Sequence, residues 1–305
     1  MAKGYAQGLA LCILLLGKVA LGDEVKITTS DGAAGDWFAR SVAICGDYAV
    51  VGAPYNDNVK GIDAGSAYIF HYDGNTWTEQ EKLMASDGIA SAYFGYSVDI
   101  YVVDDNDIYV IVGAPYDDNE KGDDAGSAYI FHYDGTTWTE QQKLIAPDGA
   151  KYDSFGYSVG IYIVNENNMY AVVGAPYDDN EKGSFAGSAY MFKQENNIWG
   201  YQQKLMASDG AEGDYFGFSV GIYGINVIVG TLYDDNGNGT NAGSAYIFYY
   251  HGVWTQKQKL MAGDGAECDN FGFSVSLYGS YALVGAPCDD NGNGMNAGSA
   301  YVFYY

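Results

Sequence analysis

The chain has 305 residues, 48% hydrophobic and 17% charged, with 42 glycines, 30 tyrosines and only five prolines. That is enough apolar material for a core and too little proline for a disordered, proline-rich chain. The formal net charge of −25, from 39 acidic against 14 basic residues, argues against nucleic acid and against an anionic membrane surface, since both would be repelled, and makes cations or a basic protein patch the natural complement.

Residues 1–22 differ from the rest of the chain. Lys3 precedes the apolar run Leu9-Ala10-Leu11-Cys12-Ile13-Leu14-Leu15-Leu16, and Ala20-Leu21-Gly22 offers a small-x-small site before Asp23. This is the pattern of a secretory signal peptide, and its apolar run is too short to span a bilayer. It predicts a secreted, extracellular protein without membrane insertion, whose mature part is residues 23–305.

From Val25 onward the apolar runs are short, rich in Tyr, Val and Ile, and bounded by Gly, Asn and Asp, which predicts strands and no helices. One unit recurs five times, from Gly52 to Phe70, Gly113 to Phe131, Gly174 to Phe192, Gly230 to Phe248 and Gly285 to Phe303. The second unit divides into four strands. They contain Phe94-Gly95-Tyr96-Ser97-Val98, Tyr109 to Gly113, Ser127 to Tyr133 and Trp138 to Ile145. Asp134-Gly135 between the last two predicts a tight hairpin with φ > 0 at both residues. The second and third units are longer, with Asp104-Asp105-Asn106-Asp107 and Asn165-Glu166-Asn167-Asn168 between strands one and two.

Tandem four-stranded units of this length predict an all-β, five-bladed β-propeller. The fifth unit stops at Phe303-Tyr304-Tyr305, without a fourth strand. Val25-Lys26-Ile27-Thr28-Thr29-Ser30-Asp31-Gly32 resembles the end of one, as in Lys204-Leu205-Met206-Ala207-Ser208-Asp209-Gly210. The first strand is therefore expected to pair into the last blade and close the ring, which would remove its open edge. No linker or second domain is evident.

The loops before strand one and between strands two and three share a face, here called the top. They carry Asp31, Asp87, Asp148, Asp209 and Asp264, each before a glycine. They also carry Asp117-Asp118-Asn119, Asp178-Asp179-Asn180, Asp234-Asp235-Asn236 and Asp289-Asp290-Asn291, with Asn56-Asp57-Asn58 in the first unit. Calcium takes six to eight oxygen ligands of these types, so these triplets are candidate metal ligands and calcium the candidate cofactor. The same residues also cap strands and make turns through bonds to their own backbone.

Phe-Gly about twenty residues before Gly-Ala-Pro, followed by Gly-Ser-Ala-Tyr-Ile-Phe, resembles the FG-GAP repeat, over residues 25–305. The resemblance implies a propeller like the head of integrin α chains, an extracellular setting, and adhesion or ligand binding. Ala39 after Phe38, and Thr231-Leu232 after Gly230, depart from the motif. The Asp-x-Asp-x-Asp-Gly calcium loop of integrin-type repeats is missing between strands one and two, so that site does not carry over.

Cys268 and Cys288 lie in the two top loops of the fifth unit, where an oxidising compartment would favour a disulfide. Trp77, Trp138, Trp199 and Trp254 open the fourth strands, for packing between blades or for stacking a sugar. Trp37, Arg40 and Asn56 set the first unit apart. Ser66, Ser127, Ser188, Ser244 and Ser299 recur in every unit and read as packing positions. His71 and His132 share one repeat position, which does not suit a unique catalytic base. The chain is expected to be a non-enzymatic binding or adhesion module that engages an extracellular protein or glycan through an acidic top face. The alternatives are a structural repeat protein without a specific ligand, and a carbohydrate-active or other hydrolytic enzyme.

Overall fold

The computed structural model describes residues 24–305; the signal peptide expected over residues 1–22 lies outside them. Blade 1 is β1 (Ser41–Cys45), β2 (Tyr48–Ala53), β3 (Ser66–Tyr72) and β4 (Trp77–Leu83). Blade 2 is β5 (Ser97–Asp104), β6 (Asp107–Ala114), β7 (Ser127–Tyr133) and β8 (Trp138–Leu144). Blade 3 is β9 (Ser158–Asn165), β10 (Asn168–Ala175), β11 (Ser188–Glu195) and β12 (Ile198–Leu205). Blade 4 is β13 (Phe216–Tyr223), β14 (Asn226–Thr231), β15 (Ser244–Tyr250) and β16 (Trp254–Leu260), and blade 5 is β17 (Ser274–Tyr278), β18 (Tyr281–Ala286) and β19 (Ser299–Tyr304). Each sheet is an antiparallel meander in chain order, and none of the described residues is helical. The protein is a five-bladed β-propeller. Its five first strands surround a central channel of about 410 Å³.

In blades 1 to 4 the second and third strands are mostly buried on both faces, which is why β6 reads as the near-continuous apolar run Ile108 to Val112. In blades 2, 3 and 4 one face packs on the blade before and the other on the blade after. The core is therefore divided among the seams. Tyr48, Val50 and Ile69 of blade 1 meet Val98, Ile100 and Val110 of blade 2. Tyr109, Ile111 and Ile130 of blade 2 meet Val159, Ile161 and Phe192 of blade 3. Two further clusters fill the seams between blades 3 and 4 and between blades 4 and 5.

Phe94 and Gly95 precede β5 rather than forming part of it. Phe94 is buried against the rings of Tyr129 and Phe131, while its amide donates to the Ala64 carbonyl of blade 1. Gly113 shows why the repeat demands glycine: a Cβ there would lie 2.0 Å from the carbonyl oxygen of Gly156 in the next blade. The hairpin at Asp134-Gly135 also departs from expectation. Only the glycine has positive φ. Asp134 instead holds the loop by accepting the Thr136 and Thr137 amides, each at 2.9 Å.

The five-bladed architecture stands, but its closure is not as expected. Blade 5 has three strands, and residues 24–30 pair with no strand. Ile27 lies on blade 1 instead, packed with Phe38 and Trp77 over Val51, Tyr68 and Phe70. Ser30 donates from its amide and hydroxyl to Glu79, and Asp31 takes the Tyr68 hydroxyl and the Lys82 ammonium. Ser86 and Asp87 make the same contacts to Glu140, Tyr129 and Lys143 of blade 2. The segment thus sits where a preceding fourth strand would end, held by side chains that need no ladder.

Pairing to β19 would require the seam between blades 5 and 1 to close, and it is open. Val42 and Ile44 are 66% and 68% exposed, whereas their counterparts Val98 and Ile100 are 8% and 4% exposed. On the facing side Leu283 is 47% exposed, against 0% for Ile111. A Cβ on Gly285 would meet only Ser274, with no backbone of a neighbouring blade.

Candidate functional site

The Asp-Asp-Asn triplets begin directly after the second strands, on the top face. The first carboxylate of each is a structural group. Asp117 is fully buried, accepts the Ser127 hydroxyl at 2.7 Å and pairs with Lys143 at 2.8 Å. Asp178 and Asp234 repeat this with Ser188 and Lys204, and with Ser244 and Lys259. Asp289 takes Ser299 and Tyr301. The lysine is shared with the aspartate that ends the preceding blade, so Lys143 also pairs with Asp87 at 2.6 Å. Burial works against the Lys143 cation, but its two carboxylates outweigh burial and hold its pKa above the usual value. Burial raises Asp117 above the ordinary carboxylate range despite the lysine.

The second carboxylates cap their own loops. Asp118, Asp179, Asp235 and Asp290 accept the amides of Asp124, Phe185, Asn241 and Asn296. Asn119, Asn180, Asn236 and Asn291 donate to the carbonyls of Gly126, Gly187, Gly243 and Gly298. Among the described residues no group of three or more His, Cys, Asp or Glu is disposed to hold a metal ion. Most of these oxygens are taken by serine, tyrosine, lysine and backbone donors, the buried Asp117 Oδ1 being without a hydrogen-bond partner, and no triplet gathers the six to eight oxygen ligands of calcium.

What the top face does assemble is a path of aromatic rings. Trp37 packs at a tilt on Tyr55 at 4.6 Å between centroids, Tyr55 likewise on Tyr93 at 4.7 Å, and Tyr93 meets Tyr116 edge to face at 5.1 Å. Tyr116 meets Tyr96, Tyr96 meets Tyr157, and Tyr157 meets both Tyr177 and Phe218. The path runs on through Tyr215 to Tyr233, and through Phe218 to Phe273. Arg40, Tyr96, Tyr157, Phe218 and Phe273 line the central channel, and the Arg40 guanidinium lies 4.3 Å from the Tyr96 centroid. Burial among the other rings pushes the Tyr116 hydroxyl up to about 12. Trp37, at the end of the path, is 60% exposed. Exposed carboxylates stand on the same face, at Asp118, Asp179, Asp235 and Asp290. The sequence carried a signal for this path: a tyrosine follows Gly-Ala-Pro at 55, 116 and 177, recurs at 233, and gives way to Cys288 in blade 5.

Other sequence candidates resolve into structure. Cys268 and Cys288 are not bridged. The Cys288 sulfur accepts the Asn270 amide at 3.4 Å, while the Cys268 backbone is tied to Thr240 of blade 4. Asn56 is buried and donates to Asp36. Ser66, Ser127, Ser188 and Ser244 are fully buried. Trp199 and Trp254 are buried and donate to Gln141 and Gln202 of the preceding blade. His132 stacks on Tyr109 and contacts Asp107 at 2.8 Å.

A propeller of near-identical blades, tied by Phe-Gly and Ala-Gly-Ser segments and opening on a broad aromatic face, is a tandem-repeat scaffold of the kind whose end surface is free to bind. The chain belongs to the FG-GAP repeat family, whose profile matches residues 21–70, 77–131, 138–192, 199–248 and 254–303. Integrin alpha-7 of Rattus norvegicus is 23% identical over 250 residues, covering 75% of this chain and 21% of that protein. Integrin alpha-6 of Homo sapiens is 26% identical over 213 residues, covering 65% and 17%. The chain thus spans about a fifth of the length of these relatives. Among solved structures, the six-bladed β-propeller Aleuria aurantia lectin superposes with a TM-score of 0.48 at 12% identity, over 86% of this chain and 73% of that one.

Proposed function

We propose that the protein is a secreted binding module that takes an extracellular protein ligand on its top face. The observation that carries this is the aromatic path from Trp37 to Phe273, bordered by the exposed carboxylates of the top loops. Rigid, half-exposed aromatic rings supply most of the affinity at protein interfaces at a low entropic cost. The carboxylates and the net charge of −25 select a partner with a basic surface and speed its arrival. The leader-like residues 1–22 and the integrin relatives support an extracellular setting.

The test is binding to an array of purified extracellular-matrix proteins, with and without calcium, at two salt concentrations. At least one basic partner is expected to bind without calcium, and more weakly as salt rises. The double substitution Trp37→Ala, Tyr116→Ala is expected to weaken that binding about tenfold or more. Binding that is indifferent to both salt and the aromatic substitutions would place the interface elsewhere.

A further inference from the structure

The lengthened hairpins of blades 2 and 3 build something on the opposite face. The β5–β6 and β9–β10 turns, with the β11–β12 turn, enclose a cleft of about 410 Å³ between the two blades. Its walls include the rings of Tyr101 and Tyr109, the side chain of Met169, the carboxylates of Asp107 and Glu166, and the amide of Gln194. A cleft of this size, lined in about equal parts by apolar and polar groups, falls within the volume range of small-molecule sites.

Gln194 is what opens it. The equivalent residue is Tyr72, Tyr133 or Tyr250 in three sister blades. Each of those rings packs on the tryptophan across the hairpin, at 5.5, 5.2 and 5.2 Å. In blade 3 the residue opposite Trp199 is Gln194. The volume that a phenol ring would fill is left to the cleft. Gln194 is only 6% exposed, and its amide nitrogen has no hydrogen-bond partner. A buried donor of this kind calls for an acceptor. The Tyr109 hydroxyl lies beside Gln194 and Asp107.

The lining selects the ligand class. Two carboxylates and no lysine or arginine line the cleft, so an anion is disfavoured. The unpaired amide needs a ligand acceptor, while the exposed Glu166 carboxylate can accept from a ligand donor beside Asp107, which already meets His132. The tyrosine rings offer flat apolar surface. A sugar ring meets all of these demands, with hydroxyls that both donate and accept around an apolar C–H face. We propose that the cleft between the blade 2 and blade 3 hairpins binds a neutral saccharide of one or two rings, with Gln194 donating to a ligand oxygen.

The test uses the full chain and saturation-transfer NMR. The probes are the methyl glycosides of glucose, galactose, mannose and N-acetylglucosamine, with N-acetylneuraminic acid and glucosamine as anionic and cationic comparisons. At least one neutral glycoside is expected to receive saturation at millimolar concentration. Gln194→Tyr restores the residue of the sister blades and fills the cleft; it is expected to abolish the signal or weaken binding at least tenfold. Gln194→Leu removes the donor without adding a ring and is expected to weaken binding likewise, should the tyrosine variant misfold. Trp37→Ala on the top face is expected to leave the signal unchanged, which separates this site from the protein-binding face. The proposal is overturned if no neutral glycoside binds, if only the charged sugars bind, or if binding survives both Gln194 substitutions.

Discussion

Lys143 stands between Asp117, which is fully buried, and Asp87 of the strand end before it. Breaking a buried ion pair by removing one partner leaves the other charge stranded, at a cost of about 3–5 kcal/mol. Lys143→Met is therefore expected to destabilise the protein by about 3 kcal/mol in urea denaturation, the lower end because the lysine keeps some solvent contact. Adding Asp117→Asn is expected to recover much of the loss, because the buried carboxylate is gone. If the single variant unfolds at the wild-type midpoint, the clamp is ornamental. The residues of this clamp were all legible as a repeat, but their role was not. Acidic pairs before asparagine suit metal ligation on composition alone, and only the fold brings a lysine from the fourth strand between them.

At the scale of the element, each seam depends on backbone approaching backbone. Gly113 faces the Gly156 carbonyl at a distance that excludes a Cβ, while Gly285 at the open end faces only the Ser274 hydroxyl. Gly113→Ala and Gly285→Ala are chemically the same change at the same repeat position, yet their effects are expected to differ. Overpacking a rigid contact costs about 1–3 kcal/mol or more, so Gly113→Ala is expected to lower the melting temperature clearly and Gly285→Ala hardly at all. Equal losses in a calorimetric comparison would mean that the seam between blades 5 and 1 closes in solution. The strand order, the hairpins and the blade count were legible from periodicity. Where the first segment docks was not, because Ile27 and Asp31 carry the pattern of a fourth strand whichever neighbour they touch.

For the whole molecule, buried carboxylates set the response to pH. Burial pushes Asp99 and Asp214 up to about 6 and Asp153 up to about 7. Asp99 accepts the Ile161 amide of the next blade and the Ile100 amide of its own. In the unfolded chain these groups titrate near 3.9. Between about pH 4 and 7 the native state therefore holds more protons than the unfolded one, and stability falls as pH rises through that window. Asp31 has the opposite sign: Lys82 first, then Tyr68 and Thr29, lower it to about 2, so its contribution is lost as pH falls from about 4 toward 2. Self-repulsion of the acidic surface adds to the decline at neutral pH. The melting temperature is expected to be higher at pH 5 than at pH 8. A scanning-calorimetry series that rises or stays flat between those values would contradict this.

Short-range periodicity copied along the chain is enough to establish the five-fold repeat, the all-β strand pattern, the acidic top loops and the family. It took the folded arrangement to reveal which carboxylates are buried beneath lysines, that three-stranded blade 5 leaves its face exposed, that tyrosines from successive blades join into one path, and that a glutamine in place of a ring opens a cleft between two hairpins. The physical reason is common to all four. Each depends on side chains brought together from separate strands or blades, as with Asp117 and Lys143 or Tyr96 and Tyr157, and a repeat makes such positions look alike until the strands and blades are set side by side.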